Sequence, residues 1–188
     1  MKINPLTYAE LSRPMYVLEE ARLRENLNLI AHVAKEADVE IILAFKAYAL
    51  WRTFPIFREY IKATTASSLF EARLGFEEFG APTHTFSPGY TDYEIDDIAR
   101  CSSHLVFNSL TQYERFHVRA KIENEKLSFG LRVNPEYSEV ETLIITLVRL
   151  VLALEYHPIS YQKRCQRTLM AFISIVIVKV AAMYSSVP

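Results

Sequence analysis

Lys46 closes the run Glu40-Ile-Ile-Leu-Ala-Phe-Lys46-Ala-Tyr, which delivers one amine at the C-terminal end of an apolar stretch. Apolar surroundings disfavour an ammonium ion and lower its pKa, so a lysine placed here can be nucleophilic near neutral pH and form an imine. The sharper reading is a Schiff base with pyridoxal phosphate. The plainer one is a lysine whose stem lies along apolar surface while its head reaches water. Arg132, in Gly130-Leu-Arg-Val-Asn-Pro135, ends a second such run. It is permanently charged and can donate to a phenolate or a phosphate; a surface ion pair is its alternative. Thr65, Ser67 and Asn108 stand at the ends of further runs.

These residues need a scaffold that brings strand ends together. Short apolar runs recur at Met15 to Leu18, Ile41 to Phe45, Ala63 to Ala66, Thr83 to Phe86, His104 to Phe107 and Leu127 to Val133. Amphipathic stretches separate them; in Glu20 to Glu36, Leu23, Leu27, Ile30, Ala31 and Ala34 recur at helical steps. Ser68-Leu-Phe-Glu71, Thr91-Asp-Tyr-Glu94 and Ser109-Leu-Thr-Gln112 each fit a capping box directly after a predicted strand. Strands alternating with helices predict a parallel sheet with right-handed crossovers. The 20 to 26 residue spacing of strand starts suits an α/β fold of the (β/α)8 TIM-barrel type, of which six strands are visible. In such a barrel the C-terminal strand ends form the active-site face, where Lys46, Thr65, Ser67, Asn108 and Arg132 would converge.

Other features exclude more than they assign. A net charge of −1 without a basic stripe argues against a nucleic-acid partner. Cys101 and Cys165 are isolated thiols with neither metal spacing nor a disulfide framework, which suits a reducing, cytoplasmic setting. His32, His84, His104 and His117 are scattered through different units; helix-surface or strand-end places are expected for them, and no metal site. Tyr48 and Trp51 are expected to pack in the core, with a pocket wall as the alternative. Glu136, Glu139 and Glu141 read as a solvated acidic loop, or else as a path for a cation.

Pro14-Met-Tyr-Val-Leu, Ala44-Phe-Lys-Ala-Tyr-Ala-Leu-Trp51, Thr64-Thr-Ala-Ser-Ser-Leu-Phe-Glu-Ala-Arg73, Val106-Phe-Asn-Ser-Leu110 and Leu131-Arg-Val-Asn-Pro-Glu-Tyr-Ser-Glu-Val-Glu-Thr142 resemble carboxynorspermidine (carboxyspermidine) decarboxylase, over about residues 12 to 142. That family belongs to the fold-type III pyridoxal-phosphate enzymes, with an N-terminal barrel and a C-terminal β domain. The resemblance implies that Lys46 is the cofactor lysine, that Arg132 lies near the cofactor's phenolic oxygen, and that Thr65 and Ser67 line the floor beneath its ring. It further implies a polyamine substrate, a cytoplasmic enzyme and a homodimer. The alternatives are another pyridoxal-phosphate protein of this fold type, such as a racemase or carrier, and a non-catalytic fragment.

The character of the chain changes after Thr142. Residues 1–142 carry 21 acids, 16 bases and all four glycines; residues 143–188 carry one acid, five bases and no glycine. A reading-frame slip predicts this break, since Leu143 to Tyr156 can be encoded so that the displaced frame reads PYYNPCAPGSRLGI, similar to the family's continuation. Residues 1–142 are therefore expected to form a partial barrel and 143–188 an aberrant tail. The ring-stacking histidine, glycine-rich phosphate loop, pyridine-nitrogen acid and β domain that the family implies would be missing, leaving a truncated, inactive and aggregation-prone form with open sheet edges. Leu169 to Met183 is β-branched enough to pair at such an edge. As a membrane anchor it is short of the ~20 apolar residues a span needs, and it contains Lys179.

Overall fold

A computed structural model describes Pro14 and residues 16–133, together with the backbone of residues 171–174. The chain divides into two units, residues 1–41 and residues 42–188. The first contains α1 (Glu20–Glu36), the helix that its leucine spacing predicts, with Leu27 as its buried residue. Arg24 bonds Glu20 one turn back at 2.8 Å. The helix ends in a turn where Asp38 adopts a positive φ of 51°, a conformation that aspartate tolerates better than most residues. Met15 to Leu18, predicted as a strand, gives no strand at its described residues, Tyr16 to Leu18. A four-residue apolar run becomes a strand only when a sheet edge pairs with it.

The second unit is a six-stranded parallel sheet: β1 (Ile42–Ala44), β2 (Ala63–Ala66), β3 (Thr83–Phe86), β4 (Ser102–Phe107), β5 (Ser128–Val133) and β6 (Ala171–Ser174). Helices α2 (Phe54–Tyr60), α3 (Leu69–Arg73), α4 (Ile95–Cys101) and α5 (Leu110–Glu123) connect the first five, and a π-helical turn, Leu74–Phe79, continues α3. Each strand lies beside its sequence neighbour in the order β1-β2-β3-β4-β5-β6. This is the winding of a barrel wall: a doubly wound sheet would reverse its order at a switch point, and no reversal occurs. Five of the six predicted strand runs are strands. The sixth strand, β6, comes from Leu169 to Met183, where edge pairing was expected; it runs parallel to β5 with Gly130 opposite Ala171 and Arg132 opposite Ile173.

Alternation along the strands gives the sheet two unlike faces. On the helix-covered face lie Leu43, Thr64, Ala66, Thr83, Thr85, Leu105, Phe107, Phe129 and Leu131, all buried. The hydroxyls among them satisfy one another: Thr85 Oγ1 lies 2.7 Å from both Thr83 Oγ1 and Ser102 Oγ. Gly75, in the π turn, packs against this face so closely that a Cβ there would stand 2.2 Å from Thr83 Cγ2. A hydrophobic core cluster joins α4, α5, β4 and β5 through Ile95, Ile98, Phe107, Tyr113, Phe116 and Phe129.

Ser68 and Ser109 cap their helices as predicted, each accepting a bond of 3.2 Å, from Glu71 N–H and Gln112 N–H. The reciprocal arms reach one residue further back than in a standard box: Glu71 accepts from Ser67 N–H and Gln112 from Asn108 N–H. Thr91 departs from the prediction. Its hydroxyl bonds the Glu94 carboxylate at 2.7 Å, and the helix starts only at Ile95. Glu94 and Ile95 N–H instead both donate to Thr91 O, at 3.3 and 3.2 Å, closing a turn ahead of the helix. Asp92 and Asp96 meet Arg115 and Arg119 across to α5, and Arg100 meets Glu123.

Candidate functional site

The C-terminal strand ends gather the predicted residues on one edge of the sheet. Registry places them in rows on the face that the helices do not cover: Ala44, Thr65, His84, His104 and Ser128 form one row, and Phe86, Val106 and Gly130 the next. Asn108 and Arg132 lie one step further along, beyond the Phe107–Leu131 pair. Lys46 follows β1 by two residues, in a turn closed by Ala47 and Tyr48 N–H groups donating to Ala44 O at 2.9 and 3.1 Å. β1 and β5 are four strand spacings apart, about 19 Å along a flat sheet at ~4.8 Å each. Barrel curvature is what would draw their ends toward one another.

The lysine side of this edge differs from expectation. The predicted strand through Lys46 is shorter, ending at Ala44, although Phe45 N–H still donates to Thr65 O at 3.3 Å. Phe45 is buried against Phe54, whereas Lys46 itself is exposed. The apolar enclosure expected around its amine is thus not supplied by the described residues, because the chain turns away from the sheet at Phe45. Trp51 is not in the core either: it is 47% exposed with the Arg52 guanidinium 5.0 Å from its ring centre. Tyr48 does pack, on Phe57 at 4.7 Å, with its hydroxyl 2.9 Å from Thr53 Oγ1. Thr65 is half-buried and Ser67 exposed.

The arginine side is closed. Arg132 is 3% exposed, so a surface ion pair does not describe it; its Cζ sits 5.0 Å from the centre of the Phe86 ring. A guanidinium over an aromatic face is favoured by the ring quadrupole, more so when desolvated. Asn108 is buried beside it in sequence register. Below them, His84 and His104 are mid-strand neighbours with ring centres 4.0 Å apart, where helix-surface or strand-end places were expected. A bulge causes this: an extra residue, Ser103, shifts the β3–β4 register and turns His104 onto the same face as His84. Ser103 Oγ lies 3.0 Å from His104 Nδ1. His117 fits its expected helix place, stacked on Tyr113.

Sequence reasoning missed Phe86, Tyr90 and Gln112. The Tyr90 hydroxyl accepts from Ser87 N–H at 3.0 Å and donates to Val106 O at 2.8 Å. Burial pushes the phenol's pKa well above its ordinary value, so it keeps the proton that it donates. Gln112 Nε2 donates to Pro88 O at 2.7 Å. A capping box marks Gln112 as a helix start, but nothing in its spacing signals the bond to a loop 24 residues earlier.

No family model matches the chain. Curated proteins and a solved structure do. Over 131 residues the chain is 39% identical to the carboxynorspermidine/carboxyspermidine decarboxylase of Campylobacter jejuni, covering 70% of this chain and 33% of that protein. The crystal structure of carboxynorspermidine decarboxylase complexed with norspermidine from the same organism superposes with a TM-score of 0.74 at 31% identity, covering 88% of this chain and 41% of that one. Over the matched stretch, this chain belongs to the carboxynorspermidine/carboxyspermidine decarboxylase family. A decarboxylase of Herminiimonas arsenicoxydans with the same double name is 35% identical over 128 residues. A relative named for a different substrate, the carboxyaminopropylagmatine decarboxylase of Synechocystis, is 41% identical over 134 residues. The chain spans about a third of the length of the curated decarboxylases it matches.

Glu136, Glu139, Glu141, Cys165 and the break at residue 143 lie outside the described residues. Among those described, no helix is long and apolar enough to cross a membrane.

Proposed function

We propose that this chain is the cofactor-capturing barrel portion of a pyridoxal-phosphate-dependent carboxy-lyase acting on a carboxylated polyamine. The observation that carries the reading is that an amine-bearing strand end and a buried guanidinium stand on the same edge of a barrel-type sheet. The residues fit the ring end of the cofactor: Lys46 offers a primary amine for its aldehyde, and Arg132 a permanent cation for its phenolate oxygen. When bound, the cofactor supplies an electron sink for the pair left by a breaking Cα–carboxylate bond. The chain's part is to position. Arg132, held over Phe86 and out of water, keeps its charge and direction, and a charge fixed in a dry site acts more strongly than a solvated one. Lys46, exposed and unencumbered, can reach a ligand and pass a proton at its Nζ. Thr65 and Ser67 follow the same face as polar floor groups.

Two thirds of the relatives' length has no counterpart in the match, so capture is assigned to this chain and decarboxylation to the assembly that includes those parts. A homodimer in the cytoplasm is the form in which we place that assembly. We place the domain limit at residue 142, where the balance of acids, bases and glycines changes. The substrate reading carried by the double-named relatives is carboxynorspermidine or carboxyspermidine. The Synechocystis relative favours a second, a substrate whose distal end is a guanidinium instead of an amine.

The test is capture itself. Pyridoxal 5′-phosphate added to the purified chain should give visible absorbance, and borohydride reduction should place the adduct on Lys46 by mass spectrometry. Lys46→Ala should abolish both. Label spread over surface lysines at equal yield would refute the assignment.

A further inference from the structure

We infer that Tyr90 and Gln112 are positioning residues that hold the Phe86 ring beneath Arg132, and so fix the direction in which the guanidinium faces the cofactor. The inference rests on the proposed function for its purpose, but its geometry stands independently. Phe86 is the last residue of β3, followed at once by the turn Ser87-Pro88-Gly89-Tyr90. The Tyr90 oxygen accepts from Ser87 N–H at 3.0 Å, and its single proton, directed at Val106 O, is shared at longer range with Thr85 O 3.3 Å away, so one phenol touches the peptide groups on both sides of Phe86. Its 2.8 Å bond to Val106 O anchors that contact to β4. The phenol ring is itself wedged edge-on against Phe107 at 5.7 Å.

Gln112 closes the other side. Its amide nitrogen bonds Pro88 O at 2.7 Å, and its amide oxygen accepts from Asn108 N–H at 3.3 Å. One side chain therefore ties the loop after β3 to the loop after β4. The two loops are thereby joined on either side of the aromatic plate under Arg132. An aromatic ring flanked by an unrestrained glycine-containing turn would sample several rotamers, and the cation above it would follow.

Tyr90→Phe keeps the buried ring and removes only the hydroxyl; Gln112→Met keeps the length and removes both bonds. The Nε–H resonance of Arg132 reports the plate directly, since a ring beneath the guanidinium displaces it upfield. Phe86→Leu calibrates the full displacement. Either clasp variant should lose a large part of that displacement, and its affinity for pyridoxal 5′-phosphate should weaken roughly fivefold, the loss of about one neutral hydrogen bond. A purely structural role would lower the melting temperature and leave the Arg132 resonance of the folded protein in place. That outcome, in whichever variant folds, overturns the inference. Failure of the wild-type chain to label Lys46 would refute the proposed function, while the resonance would still decide whether the clasp exists.

Discussion

The two ends of the candidate site are built to different standards. Around Arg132 the loops after β3 and β4 are tied: Tyr90 and Gln112 bridge three chain segments, and Phe107, Tyr113 and Phe129 pack edge to face behind them. Around Lys46 the strand is three residues long, the next turn is held by backbone bonds, and Leu50 and Trp51 stand about half exposed. A permanent charge must be aimed by its surroundings, because it cannot adjust its protonation. An amine that exchanges partners needs freedom to move. The two halves of the edge provide an enclosed cation and an exposed amine, the contrast that the proposed capture of a cofactor would use.

Substitutions that probe packing should break this contrast most visibly. Phe107→Ala, on the arginine side, should cost about 3–5 kcal/mol of unfolding free energy in urea titration, as for other fully buried aromatics. Trp51→Ala on the lysine side should cost less than ~1 kcal/mol. Equal losses would mean that the lysine side is packed after all. Gly75→Ala should cost about 1–3 kcal/mol, since its methyl group would overlap Thr83 on the helix face; this would show that the sheet beneath Lys46 is tight and only its mouth open.

The pH dependence should come from the arginine side. A hydrogen bond from Arg119 holds the Asp96 carboxyl below its ordinary value of 3.8 in the folded chain. The unfolded chain therefore binds the proton first, so this pair's contribution is present above about pH 4 and fades as pH falls through the lowered value. Wild type and Asp96→Asn should differ modestly in melting temperature at neutral pH and converge in acid. A gap that widens in acid would reverse the sign and sink this account. The smallest effect belongs to Lys46→Ala, within about ±0.5 kcal/mol in stability, as befits an exposed side chain whose loss is chemical.

The barrel winding was legible because strand and helix periods alternate in the sequence at nearly constant spacing, and α1 matches its leucine pattern residue for residue. The strand ends bearing Thr65, Asn108 and Arg132 were legible for the same reason. Burial was not. Lys46 follows an apolar run and was expected in an apolar setting, but a run that ends in a turn releases its last residue to water. For Arg132 a surface ion pair stood as the alternative to a ligand-facing cation, and its enclosure could not be read from the sequence, because Phe86, 46 residues earlier, supplies the face it lies on. The His84–His104 contact depends on a one-residue register shift, which alternation alone cannot reveal.

The pairs joining the α4 region to α5 are Asp92 with Arg115, Asp96 with Arg119 and Arg100 with Glu123, each at the same sequence offset, and the last with its signs exchanged. Slide one helix along the other by a single turn and Arg100 would confront Arg119, so the arrangement works as a key cut for one depth of the lock. Under that helix pair β4 and β5 run in backbone register, and Asn108 and Arg132 come next after the Phe107–Leu131 pair.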